Sequence, residues 1–162
     1  MERLSTYKPL ILVAAFLLGV VGLIEFKSGE WMAMRAMSHF MAGFFLFFSF
    51  FKLLNLQAFA EAFSTYDILA KRSRAYALAY PFIELALGVA IALGVYSAAT
   101  NVVTLVLMVV GSYGVGLVLK RKGTIQCACL GTIFNLPMTK ITLFENGIMF
   151  MMALLSLAGV SN

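Results

Sequence analysis

Charge is scarce in this sequence, and that scarcity excludes most soluble folds. Of 162 residues only 12% are Asp, Glu, Lys or Arg, where a soluble domain carries about a quarter. Histidine is nearly absent: His39 stands alone, so no His-rich metal centre can be built. There are two cysteines, Cys127 and Cys129, and no second pair to complete the four-ligand shell that structural zinc needs. No Gly-rich phosphate loop or nucleophile elbow is present. Nor do basic and aromatic residues alternate as on a nucleic-acid surface, so nucleic acid is not expected as a partner. Internal repeats, low-complexity runs and polar stretches long enough for a soluble domain are missing too.

What is there is apolar. Hydrophobic residues make up 62% of the chain, with a mean hydropathy of +0.97. Five stretches approach the ~20 residues that cross a bilayer: residues 10–24, 38–54, 76–96, 102–119 and 141–160. The first resembles a signal peptide in its basic flank, Arg3 and Lys8. It is followed by Glu25-Phe26-Lys27 rather than a small-residue cleavage site, so a retained helix is expected. Gly111, Gly114 and Gly116 in the fourth stretch would permit close helix approach.

Between the second and third stretches lies "LQAFAEAFSTYDILAKRSR". Leu56, Phe59, Phe63 and Tyr66 recur at spacings of three and four, with Gln57, Glu61 and Lys71 elsewhere on the wheel. The pattern predicts an amphipathic helix lying at the membrane interface. The expected fold is all-α: a polytopic transmembrane helical bundle of four to five spans, with that interfacial helix between spans two and three. The whole of residues 1–162 is read as one membrane domain.

The net charge of +5 orients the chain rather than attracting nucleic acid. With the N-terminus inside, Arg3, Lys8, Lys52, Lys71, Arg72, Arg74, Lys120, Arg121, Lys122 and Lys140 are cytoplasmic, leaving Lys27 and Arg35 outside. This positive-inside asymmetry predicts an N-in protein of a bacterial inner membrane, with the cysteines on the cytoplasmic side. A re-entrant dip of "LGTIFNLP" into the bilayer stays compatible with it if protein covers the backbone.

Four groups of residues are candidates for chemistry. Cys127 and Cys129 stand one residue apart in "TIQCACLGTIFNLPMTK", beside Lys120-Arg121-Lys122. A disulfide across one residue closes a small, strained ring and is easily reduced, which suits transient exchange. Two neighbouring thiolates also suit a soft ion such as Cu(I), and cysteines also pack as small apolar residues. A reducing cytoplasm favours the dithiol, and the basic flank would lower the thiol pKa values. Glu84 lies about eight residues into the third stretch, ~12 Å from its inner end. A carboxyl group at that depth marks a function or a specific partner. It would relay a proton, or remain protonated and bonded to a neighbouring helix; Pro81, three residues earlier, would kink the helix beside it.

The third group is "WMAMRAMSHFMAG", where Met32, Met34, Met37 and Met41 surround His39. Thioethers and imidazole are ligands of copper traffic, so Met37, Met41 and His39 are candidate outer ligands for a soft metal. Methionine is equally a packing residue, and His39 lies off the face that Met34, Met37 and Met41 share. Glu145 and Asn146, early in the last stretch, would lie near the cysteine loop or serve as interfacial caps.

Taken in order, "FFKLLNLQAFAEAFSTYDILAKRSRAYALAYPFIELALGVAIALG", "CACLG" and "ENGIMFMMALL" resemble the MauE branch of the MauE/DoxX superfamily of redox-associated membrane proteins. The resemblance rests on Lys52-Leu53, Tyr66, Pro81 and Glu84, Cys127-Cys129-Gly131, and Asn146, over about the last three quarters of the chain. Ala128 and Leu130 stand where methylamine-utilisation members often carry Gly and Phe. Membership implies a membrane partner in thiol-disulfide chemistry, with a thioredoxin-like protein opposite Cys127 and Cys129. The competing expectation is a small copper or mercury transporter: Met/His ligands outside, Cys-x-Cys inside, Glu84 between, and a metal-binding domain protein as partner.

Overall fold

The computed structural model describes residues 8–95, 98–120 and 140–160. Among these residues every regular element is a helix. They are α1 (Lys8–Ser28), α2 (Ala33–Leu54), α3 (Leu56–Phe63), α4 (Ile68–Arg72), α5 (Arg74–Ala92), α6 (Ala98–Lys120) and α7 (Lys140–Val160). Five of them, α1, α2, α5, α6 and α7, are long and apolar enough to cross a membrane. The chain is thus a multi-pass membrane protein. Its outer faces carry exposed apolar side chains, such as Leu12, Phe16, Val106 and Phe144, as a lipid surround requires.

Two helix pairs make the bundle: α2 packs along α5, and α6 along α7. α1 flanks α2, while α3 and α4 fold back onto α5. Close contact between α2 and α5 depends on Gly88. A methyl group there would stand 3.0 Å from the backbone nitrogen of Leu46. The core between the pairs contains Phe45, Phe59, Ala77, Met149 and Ala153, all at most 1% exposed. Deep in the α6–α7 interface the Asn101 amide donates to Ser156 Oγ at 3.2 Å. Such interhelical bonds between small polar residues fix helix register in the bilayer.

The observed ends differ from the expected ones for local reasons. α2 starts five residues before the apolar stretch, because "AMRAM" is helical as well. α5 stops at Ala92, short of the expected 96. Gly94 takes a left-handed φ of 73°, its N–H bonding to the Ile91 carbonyl and the next N–H, of Val95, to Ala90. That is the Schellman end that a glycine just past a helix supports. Pro81 sits within α5, which runs through it; having no N–H, it cannot supply the i+4 donor to the Ala77 carbonyl.

The amphipathic segment is two short helices, not one. Asp67 breaks it: its Oδ1 accepts from the N–H groups of Leu69 and Ala70 and so starts α4 anew. Asn55 caps α3 in the same way and Ser73 caps α5, so three polar caps fold this stretch. Burial pushes the Asp67 carboxyl above its usual range, against the pull of the Ala70 and Leu69 N–H groups and of Lys71. The expected faces hold: Phe59, Phe63 and Tyr66 are buried, and Gln57, Glu61 and Lys71 are exposed.

Candidate functional site

The chemistry-bearing residues converge at one end of the bundle. This end combines the second half of α2, the helix α3 and the turn that follows it, the middle of α5 and α6, and the first turns of α7. Lys52 belongs to the last turn of α2, where a lysine at a membrane edge would ordinarily extend toward water. Here it turns inward instead. Its Nζ donates to both oxygens of Glu84, at 2.7 and 2.5 Å, and the two side chains are 7% and 5% exposed.

An aromatic shell encloses this pair. The Lys52 ammonium lies 5.1 Å from the Tyr80 ring centroid and 5.5 Å from that of Phe59. Cation–π attraction at this range adds to the ion pair once water is excluded. Phe63 packs on both rings, 4.5 Å from Tyr80 and 5.2 Å from Phe59 between centroids. The shell exists because α3 folds back over α5, and the turn between α3 and α4 rests on α6 at Gly114. A methyl group at Gly114 would meet the Tyr66 carbonyl oxygen at 2.7 Å. Gly111 similarly faces the Asn146 amide, whereas Gly116 faces open space, so two of the three glycines expected at close approaches are used there.

Beside the pair is a chamber of about 50 Å³ whose polar lining includes Lys52, Glu84, Tyr66, Thr142, Glu145 and Asn146. That volume holds a few water molecules. Two carboxyl groups and one ammonium therefore share a small space. The arrangement can hold and move protons, and it presents hydrogen-bond donors and acceptors to whatever reaches it.

A second charged cluster stands at the opposite end, where α1 turns into α2. Glu25 is buried, and Arg35 clamps it with Nε and Nη2 at 2.9 and 2.8 Å. The Met32 N–H donates to the same carboxylate at 3.2 Å. Arg35 Nη2 also donates to Ser28 Oγ and to the Glu30 carbonyl, which fixes the turn. A bidentate guanidinium–carboxylate contact of this kind ties the α1–α2 hairpin together.

Of the sequence-predicted residues, Glu84, Glu145 and Asn146 all line the chamber. His39 faces the second cluster, its Nδ1 3.7 Å from Glu25 Oε1 and buried without a hydrogen bond. Met41 is 2% exposed in the core beside Ala42 and Phe45, Met34 abuts Gly159 of α7, and Met37 is half-buried. Cys127 and Cys129 lie outside the described residues. Sequence reading missed two partners, Lys52 for Glu84 and Arg35 for Glu25. In each case the available signal was an isolated charge of opposite sign near the same end of the neighbouring apolar span.

A helical membrane bundle with a caged lysine–glutamate pair at one end defines the class: a multi-pass membrane protein with a buried ionisable centre. The family model described as methylamine utilisation protein MauE matches residues 30–159, and the chain belongs to the MauE family. The match takes in α2 through α7, with Lys52, Glu84 and both cysteines, and leaves out all of α1. No curated protein and no solved structure matches the chain.

Proposed function

We propose that this protein is a thiol-disulfide carrier of the bacterial inner membrane, oriented N-terminus inside, with Cys127 and Cys129 as its exchanging pair and the Lys52–Glu84 chamber as its proton-handling centre. The observation that carries the reading is one of connectivity. The thiol-bearing segment, residues 121–139, leaves the end of α6 and re-enters at the start of α7, the same end of the bundle where the chamber lies. Thr142, Glu145 and Asn146, just after the segment, already line the chamber.

In the proposed exchange a thiolate of a thioredoxin-like partner attacks the Cys127–Cys129 disulfide. One of the two cysteine sulfurs leaves as thiolate, and a mixed disulfide forms. The partner's second thiolate then attacks the partner's own sulfur in that bond, releasing the partner as a disulfide and leaving Cys127 and Cys129 as the dithiol. Two electrons pass to the pair, and the two protons lost by the partner are taken up by the cysteine thiolates. Glu84, held ready by Lys52, handles protons on that route.

Metal transport draws less support, because Glu84 is engaged by Lys52 and His39 faces the Glu25–Arg35 clamp. The test is to replace either Cys127 or Cys129 with Ser in cells and to resolve thiol-blocked membranes by non-reducing electrophoresis. A mixed disulfide with a thioredoxin-like protein is expected from one of the two variants and from neither in the double variant. No adduct from either single variant, together with Cu or Hg accumulation that depends on both cysteines, would overturn the reading in favour of transport.

A further inference from the structure

α1 rests on α2 and leaves a crevice between itself and α7. Its volume is about 230 Å³, and among its walls are Leu10, Val13 and Leu17 of α1, Phe44 of α2, and Ile148 and Met149 of α7. Every residue lining it is apolar except Glu145. Its rim faces the lipid side, with Ile11 52% and Phe144 67% exposed. Phe44, Phe48 and Glu145 also line the chamber of Lys52 and Glu84, so the crevice and the chamber share a wall.

We infer that this crevice is a binding site for a lipid-soluble quinone, its alkyl tail along α1 and its ring at the Glu145 end, against Phe44 and Phe48. Three features select this chemistry. A groove that is apolar up to one carboxyl group fits an amphiphile with a long tail and a small head, since a bare acyl chain has no use for a polar terminus. Glu145 is the one ionisable residue among those lining the crevice, so the site offers an uncharged head a hydrogen-bonding group but offers no cation to the phosphate of an anionic phospholipid. The aromatic wall, with Phe44 and Phe48 stacked 4.1 Å apart between centroids, suits a flat ring. Glu145, the one polar side chain in the crevice wall, offers the hydrogen-bonding group for the head, accepting from a quinol hydroxyl.

The choice of a quinone rests on the redox reading above; the binding site itself involves only described residues. With that reading the stoichiometry closes. The Cys127 and Cys129 thiols give up two electrons and two protons to become a disulfide, and the quinone takes up both to become the quinol.

Binding is tested apart from thiol chemistry, on the full-length Cys127→Ser/Cys129→Ser protein in detergent, with a photoreactive azido-decylbenzoquinone. Saturable labelling is expected within residues 10–17 and 144–149, competed by unlabelled decylbenzoquinone and not by phosphatidylglycerol. Ala14→Trp, which fills the crevice from its exposed wall, should weaken binding at least tenfold. Ile11→Trp at the rim should do the same, and Ala15→Trp on the adjoining lipid face should leave binding unchanged. Glu145→Gln should weaken binding less than Ala14→Trp does. Labelling indifferent to both crevice variants would overturn the proposal, as would equal competition by phosphatidylglycerol. Because the probe reads binding in a protein without thiols, a failure here is distinct from a failure to trap the mixed disulfide.

Discussion

Lys52→Met is expected to be among the most destabilising single substitutions in this chain. It removes the ammonium that bonds both oxygens of Glu84 and leaves a carboxyl group 4% exposed with no cation bonded to it among the described residues. Breaking a buried pair by removing one partner costs about 3–5 kcal/mol, mostly the burial of the orphaned charge. At roughly 2–4 °C per kcal/mol for a chain of this size, the unfolding midpoint falls by on the order of 10 °C. Thermal unfolding of the purified protein in detergent measures this. The control is Lys52→Met/Glu84→Leu, which removes both charges and fills the space with apolar atoms. Replacing a whole buried pair by hydrophobic residues is close to neutral, so the double variant should recover most of the midpoint. An equal loss in the single and double variants would mean that packing by the lysine stem, not its charge, holds this end together.

Gly114→Val should push the turn between α3 and α4 away from α6. The added Cβ would come within 2.7 Å of the Tyr66 carbonyl oxygen and 3.3 Å of the Asp67 Cα, both backbone atoms that cannot rotate away. Overpacking a tight contact costs about 1–3 kcal/mol, and here the strain falls on the segment that carries Tyr66 and Asp67 to their buried positions. Gly116→Ala is the matched comparison two residues on, where nothing stands within 4 Å. It should leave stability unchanged or raise it, since alanine favours helix by about 1 kcal/mol over glycine. Limited proteolysis between residues 64 and 74 reads the difference: faster cleavage is expected for Gly114→Val and wild-type rates for Gly116→Ala.

The membrane spans were legible because long apolar stretches with few charges have one common solution in lipid, the helix that bonds its own backbone. The faces of the 56–71 segment were legible from the spacing of Phe59, Phe63 and Tyr66. Its division was not. Asp67 reads as a polar residue on the wheel, and only the fold shows its side chain bonding the Leu69 and Ala70 N–H groups. Glu84 announced itself as a carboxyl group within an apolar span. Its partner did not, because Lys52 at the end of a span looks like any lysine that marks the cytoplasmic edge. Contacts between residues 32 positions apart depend on how α2 and α5 pack, and periodicity along one helix carries no such information. The same holds for Arg35, ten residues from Glu25, which served in the sequence only as an outside charge. The Met and His residues failed to announce a common site for a simpler reason: apolar packing and soft-metal ligation call for the same residue types at the same spacing.

The central claim is that the caged Lys52–Glu84 pair and the Cys127–Cys129 pair work as one unit. The most direct measurement is the in-cell redox state of the two cysteines, by acid-quenched thiol alkylation, in wild type and in Lys52→Met/Glu84→Leu, the variant expected to remain folded. In wild type both dithiol and disulfide forms are expected. In the double variant exchange should stall, with the pair accumulating in a single oxidation state. An identical distribution in the two folded proteins would contradict the account.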